Sequence, residues 1–149
     1  MSAGSSGVVV REVAVGETHL VHAALVALRP HRDDRDALVA RIDDVQRAEG
    51  YRLFGAFLDG EETAAGALGF RPQSVLGWGD TLYVDDLSVL PAVRRRGVAG
   101  ALLDAVVAEG RARGCDAIHL DSGHQRHDAH KLYLAYGFNM TSHHFNLPL

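Results

Sequence analysis

Three groups of residues in this sequence are of types, and at spacings, that can do chemistry. The densest is Arg94-Arg95-Arg96-Gly97-Val98-Ala99-Gly100, just after Pro91 and at the head of an apolar-periodic stretch. Pro91 stops a preceding strand, and Gly97 suits the turn into a helix. The first turn of a helix leaves backbone N–H groups unpaired and carries a partial positive charge. Residues 95–100 can therefore wrap a diphosphate, with the arginine side chains adding charge and Gly97 and Ala99 allowing close approach. Read alone, three arginines and a glycine are equally a solvated cluster ahead of an ordinary helix.

The second group is Asp85-Asp86 in TLYVDDLSV, a strand-like run just upstream. A carboxylate there can accept a proton, and because successive strand residues face opposite ways, one of the two is expected to point into a cleft. The alternative is that both cap a bulge or pair with arginines. The third group is Tyr133 with Arg126, His127 and His130. By helical spacing alone Tyr133 reads as a core or helix-surface tyrosine. His124, His127 and His130 recur every third residue without an accompanying cysteine pattern, so no metal site is expected. Cys115 is the only cysteine. It can form no internal disulfide and is read as a small core residue.

The elements that must hold these residues follow from periodicity. Residues 8–13 read as a strand, 17–28 as a helix ended by Pro30, and 33–49 as a second amphipathic helix closed by Gly50. Residues 51–58 and 63–70 flank Asp59-Gly60 as an antiparallel hairpin, 72–79 read as a loop, and 81–89 as the next strand. Val98, Leu102, Leu103, Val106 and Val107 share one face of a helix over 97–113. A short buried-type strand over 117–120, a helix over 128–136 stopped by Gly137, and a final strand over 141–147 complete the chain. This order predicts a mixed α/β or α+β sheet, largely antiparallel, with about four helices. One domain over 8–149 is expected, behind a flexible Gly/Ser-rich start at 1–7.

Composition narrows the function. The formal charge of -4 leaves no broad basic surface for a phosphate backbone, so nucleic acid is not expected as a partner. No apolar run is long enough to span a membrane, and the opening MSAGSSG lacks the basic start and apolar stretch of a secretory signal. The expected location is the cytoplasm, with no membrane partner.

The phosphate cradle has neither the Gly-Lys-Ser/Thr ending of a nucleotide-triphosphate loop nor the Gly-x-Gly-x-x-Gly of a dinucleotide turn. Coenzyme A is the better phosphate ligand. Here the sequence resembles the GNAT superfamily of acetyl-CoA-dependent N-acetyltransferases, whose coenzyme loop reads Arg/Gln-x-x-Gly-x-Gly/Ala and is matched by Arg94, Gly97 and Ala99. The family's second signature is matched by AHKLYLAYGF, residues 129–138. The two motifs stand in the family's order and spacing. The resemblance is clear from about residue 51 onward. Within it, SGHQRHDAHKLY followed by HHF looks like the aminoalkylphosphonate N-acetyltransferase branch and its uncharacterised relatives.

The resemblance implies one GNAT-like domain with its sheet splayed at the coenzyme site, acetyl-CoA as co-substrate, and a small-molecule primary amine as acceptor, attacked directly in a ternary complex. A protein lysine or N-terminal acetyltransferase and a non-catalytic CoA-binding module are the alternatives. Tyr133 is implied as the acid that protonates the leaving thiolate. Asp86, favoured over Asp85, is implied as the base, acting directly or through water. Leu87, Ser88 and Val89 are implied to line the pantetheine arm, Ser88 and Val89 through their backbone, with the Val89 N–H facing the developing oxyanion. Arg94, Arg95, Arg96, Gly97, Val98, Ala99 and Gly100 are implied to hold the diphosphate, with Arg126 and His130 on the coenzyme side. Arg126 departs from the asparagine of many members. The chain also ends after one terminal strand where many members have two, so a homodimer that completes the sheet edge is expected.

Overall fold

The computed structural model describes residues 7–149. Contacts divide the chain into a unit ending at His119 and a shorter unit over Leu120–Leu149.

In the first unit, strands β1 (Val8–Glu12), β2 (Arg52–Leu58), β3 (Gly66–Val75) and β4 (Gly79–Val89) run antiparallel in sequence order, and β5 (Ala117–Leu120) follows β4 in the sheet. The β4–β5 connection is a crossover carrying α3 (Val98–Ala112), which makes the sheet mixed. Before β2 come a 3-10 turn at Thr18–Val21, α1 (His22–Leu28), a 3-10 turn at Pro30–Arg32 and α2 (Arg35–Arg41). The region read from sequence as one helix over 33–49 begins at an Asp34 cap whose carboxylate accepts from the Ala37 N–H. It then widens to a π turn at Ile42–Gln46, tightens to 3-10 at Arg47–Glu49, and ends at left-handed Gly50.

The helices cover opposite faces of the sheet. Leu53 and Phe57 of β2 bury with Leu25 of α1 and Leu38 of α2. Strand alternation sends Phe54 and Ala56 the other way. Ala56 pairs with Gly66, where an added Cβ would meet Val98 and Leu102 of α3. Strand β3 runs to Val75, through the stretch expected to be a loop, because its outer half pairs with the start of β4 from Phe70↔Val84 to Val75↔Gly79. The short β5 is exposed to half-buried rather than buried as its composition suggested.

In the second unit, α4 (His127–Tyr136) buries Tyr133 and stops at Gly137. The strand expected over 141–147 is absent: among the described residues this segment has the alternation of a strand but no neighbour to pair with. Phe145 and Leu147 stay exposed, and Pro148 offers no N–H to a ladder.

Candidate active site

The sheet register builds one end of the site. Leu53 pairs with Gly69 and Gly69 with Asp86, so the three form a row on the face covered by α1 and α2. Tyr51 lies two residues before Leu53 on the same face, and its ring crosses directly over Gly69; any side chain at 69 would collide with it. The Tyr51 hydroxyl donates to Asp86 Oδ2 at 2.9 Å, while Arg29 Nε, from the end of α1, donates to Asp86 Oδ1 at 3.0 Å. Burial, reinforced by the Asp86 charge, pushes the Tyr51 hydroxyl well above its ordinary range, so it stays a proton donor at neutral pH.

The expectation that only one of the two aspartates faces the cleft is corrected. The β3–β4 ladder slips between Gly69↔Asp86 and Phe70↔Val84, leaving Asp85 as an extra, unpaired residue of β4. This bulge resets the alternation, so Asp85 and Asp86 line the same cavity. Asp85 is gripped at both oxygens by Arg71, at 2.8 Å each, and its backbone carbonyl accepts from Arg29 at 3.0 Å. The cavity, about 280 Å3, lies between this strand and α1, α2 and the turns around them.

Past the bulge, β4 offers a second feature. The Leu90 N–H bonds to Ala65 O, so Gly66↔Val89 is a pair without mutual hydrogen bonds, and the Val89 N–H points to the edge away from β3. Leu87 points its N–H the same way. Ser88, one residue out of phase, turns its backbone toward Ala67, so the expected backbone contact from Ser88 to a pantetheine arm is not supported by the register. Strand β5 is only four residues long and starts where Asp116 N–H bonds Asp80 O, so it runs out before Leu87. That edge of β4 is open to a ligand's amides as far as β5 is concerned.

The chain then passes Pro91–Val93 into the arginine run. Arg95 (φ 67) and Gly97 (φ 79) both adopt the left-handed conformation, and α3 starts without a side-chain cap. The first intrahelical bond at this end runs from Ala101 N–H to Gly97 O. The N–H groups of Val98, Ala99 and Gly100 are thus the unpaired donors of the first turn. A Cβ at Gly97 or Gly100 would meet nothing within 4 Å, and Arg94, Arg95 and Arg96 are exposed. A diphosphate fits this donor set: free amides, three guanidinium groups and open space above them.

A model of the acetyltransferase (GNAT) family matches residues 18–138. The chain belongs to this family. It is 32% identical over 118 residues to an uncharacterized N-acetyltransferase, YhdJ, of Bacillus subtilis (strain 168), covering 78% of this chain and 81% of that one. It is 29% identical over 131 residues to an aminoglycoside N(6')-acetyltransferase type 1 of Salmonella enteritidis, covering 85% and 90%. A solved structure of AAC(6')-Iy with the bisubstrate analog CoA-S-monomethyl-acetylneamine superposes with a TM-score of 0.81 at 25% identity, covering 95% of this chain and 97% of that one. The protein is an acetyl-CoA-dependent N-acetyltransferase with the GNAT fold.

The remaining expected site residues lie in the second unit. Tyr133 is 8% exposed, and burial raises its hydroxyl above the ordinary tyrosine range while a hydrogen bond and charge from Arg126 pull it partly back. The tyrosine is therefore protonated at neutral pH, the state a proton donor needs. Its ring packs edge-on against Phe138. His130 Nε2 lies 2.9 Å from Gly123 O, which ties that ring nitrogen to the turn before α4. Among the described residues there is no cluster of three or more metal-ligating side chains.

The sequence reading missed Tyr51, Arg29 and Arg71 as partners of the two aspartates. A faint signal existed: Gly69 sits inside a strand pattern, and an isolated strand glycine marks a close approach or a nearby bulge. Both occur here.

Proposed function

We propose that this enzyme transfers the acetyl group of acetyl-CoA to a primary amine of a small molecule, by direct attack in a ternary complex. The observation that carries the reading is the cavity of about 280 Å3 ending on Asp85 and Asp86, a volume near the small end of ligand pockets. The acceptors named for the aminoglycoside relatives are small-molecule amines as well.

Acetyl-CoA supplies an activated acyl carbonyl and a thiolate leaving group. The turn at Arg94–Gly100 holds the diphosphate through the Val98, Ala99 and Gly100 amides and the arginine side chains. Leu87 and Val89 direct their amides along the open strand edge, and the Val89 N–H stabilises charge developing on the acyl oxygen. An alkylamine with a pKa of about 10.4 is neutral in only about one molecule in a few thousand at pH 7. A proton must leave it as the C–N bond forms, and Asp86 accepts that proton directly or through water. Its two oxygens each take one protein hydrogen bond, which fixes the carboxylate plane and leaves lone pairs toward the cavity. Tyr133 gives its proton to the departing sulfur as the C–S bond breaks. Arg126 and His130 complete the coenzyme side of this assignment.

A cytoplasmic homodimer completes the reading. It is supported by the strand-like but unpaired segment at 141–147, with Phe145 and Leu147 exposed, and sedimentation velocity tests it. No helix among the described residues is long and apolar enough to cross a membrane.

The deciding experiment measures acetyl-CoA-dependent thiol release across a panel of small amines and lysine- or N-terminus-bearing peptides, with mass spectrometry of the products. N-acetylated small amines are expected. Turnover with peptides alone would replace this reading with a protein acetyltransferase. CoA binding without any turnover would replace it with a regulatory module.

A further inference from the structure

The charges around the acceptor cavity are unusual for a site that receives amines. Its lining carries Arg29, Arg32 and Arg41 against Asp85 and Asp86, so cations outnumber anions. Both carboxylates are engaged already. Arg71 grips Asp85 through two contacts of 2.8 Å, while Asp86 takes Arg29 Nε at 3.0 Å on one oxygen and the Tyr51 hydroxyl at 2.9 Å on the other. Arg29 is held at both ends. Its backbone N–H closes α1 on Leu25 O at 2.8 Å, and its guanidinium reaches the Asp85 carbonyl at 3.0 Å as well as the Asp86 carboxylate.

We propose that Arg29 is a specificity-determining residue: its guanidinium fills the place at Asp86 where an acceptor's ammonium would pair, so the cavity takes its amine uncharged and favours weakly basic primary amines. The assignment rests on the small-amine reading above and names the protonation state and basicity class of that acceptor. Arg29 acts through Asp86 rather than on the reacting atoms, so it is a positioning residue whose effect belongs to KM.

An ammonium entering the cavity loses hydration, and only a counter-charge without a partner offsets that loss. Neither aspartate of the lining is such a charge. An uncharged amine instead donates one N–H to a remaining Asp86 lone pair and keeps its own lone pair for the acyl carbon. The order of proton transfer also suits a carboxylate. An aspartate ordinarily titrates about six units below an alkylammonium, which makes it too weak a base to strip the free cation. As the C–N bond forms, the nitrogen becomes positive and its N–H far more acidic, and Asp86 takes that proton. The C–S bond then breaks and Tyr133 protonates the departing sulfur. The groups around Asp86 are Tyr51 just ahead of β2, Arg29 at the end of α1, His31 and Arg32 from the following turn, Arg41 from α2, and Asp85 with its Arg71 partner on the sheet.

The test compares n-butylamine, 2-methoxyethylamine and glycinamide, primary amines of matched size and falling basicity, with the full-length enzyme at saturating acetyl-CoA. From about pH 7.5 to about 9 the KM for butylamine is expected to fall about tenfold per pH unit while kcat stays level, because only the uncharged fraction binds. His31→Gln should show the same slope, which assigns it to the amine rather than to that imidazole. At about pH 7.5 the neutral fraction of an α-amine such as glycinamide exceeds that of an alkylamine by about 200-fold or more. The weaker base is also the weaker nucleophile, so kcat/KM for glycinamide should exceed that for butylamine by about tenfold or more, with 2-methoxyethylamine between them. Arg29→Gln and Arg29→Met remove the cation and free Asp86 for an ammonium. Either should take away most of the pH dependence of the butylamine KM and bring the glycinamide-to-butylamine ratio below about threefold, whereas Arg29→Lys keeps the cation and should keep both. Arg35→Gln removes a charge that pairs with Asp36 outside the cavity lining and should match wild type.

A butylamine KM that stays level over this range, glycinamide used no better than butylamine, or a slope unchanged in the Arg29 variants would each overturn the assignment while leaving small-amine acetylation standing. Circular dichroism establishes which of the two neutral variants folds, and either one decides the point. Should no small amine be acetylated, the parent reading falls instead. Calorimetric titration of the CoA-saturated enzyme with butylamine then still decides the protonation state: affinity that rises about tenfold or more between about pH 7.5 and about 9 supports uncharged binding, and level or absent binding refutes it.

Discussion

Tyr51→Phe is the cleanest probe of how the fold holds its acidic centre. The substitution keeps the ring, which is 4% exposed and packed over Gly69, and removes only the hydroxyl that donates to Asp86 at 2.9 Å. A hydrogen bond to a charged group contributes about 1.5–3 kcal/mol. Here the lower end applies. The Asp86 carboxylate is 18% exposed at a cavity wall and keeps Arg29, so water can replace the lost donor. The expected cost at pH 7 is about 1.5 kcal/mol, read as a lower urea midpoint at unchanged slope.

The pH dependence gives an independent check. Burial and the Asp86 charge raise the folded-state pKa of Tyr51 above its ordinary value of 10.0. Below that value both folded and unfolded states keep the proton, and the stabilisation is fully present. Above it the unfolded chain releases a proton that the folded chain retains, so stability falls as pH rises toward the folded-state pKa. The wild-type advantage over Tyr51→Phe should therefore be constant from neutral pH to about 10 and shrink above it. A variant within about 0.5 kcal/mol of wild type at pH 7, with a parallel curve in alkali, would refute the assigned bond.

Two further predictions concern the coenzyme side. Tyr133→Phe should lower kcat by about a hundredfold or more, the scale of a lost general acid, while changing acetyl-CoA affinity in calorimetry by less than about twofold; equal turnover would remove Tyr133 from the mechanism. Arg95→Gly should weaken CoA binding while leaving the thermal midpoint level or raising it, because it relieves a left-handed backbone strain of about 1 kcal/mol as it deletes a charge; unchanged CoA affinity would count against the phosphate assignment.

The parts of the site that were legible in the sequence are those written in consecutive residues. The arginine turn is a local object: a proline stop, a glycine with a left-handed backbone, and a helix whose first amides lack partners all lie within residues 91–101. The succession of elements from β1 to β4 along the chain, and the hairpin at Asp59-Gly60, were similarly readable from alternation. What could not be read is what register creates. Tyr51 meets Asp86 across 35 positions and Arg29 meets it across 57. Alternation counted straight through β4 also puts Asp85 and Asp86 on opposite faces, because nothing within β4 itself marks the extra residue and the only hint lies at Gly69 on the neighbouring strand. Arg32 falls between the two helices read from the sequence and Arg41 on a polar face of the second; that both line the cavity could not be read, since what closes a cavity depends on where α1 and α2 dock. The tail failed in the reverse direction: 141–147 has a strand's alternation, but a strand exists only where an edge is offered to it.

Both functional ends of β4 depend on departures from regular geometry, and each departure puts a group where an ideal strand or turn would not. Without the extra residue at Asp85, the alternation set by Leu82 and Val84 would carry Asp86 to the face packed by α3. There Leu102, Leu103 and Val106 are fully buried and offer a carboxylate no donor. With the bulge, Asp86 instead reaches a tyrosine hydroxyl and a guanidinium, and Asp85 takes a second guanidinium. At the far end, Arg95 holds a conformation that glycine would adopt without strain. Retaining a cation at a backbone position that costs about 1 kcal/mol makes sense where its charge acts on a ligand, and little sense for a solvated cluster ahead of an ordinary helix.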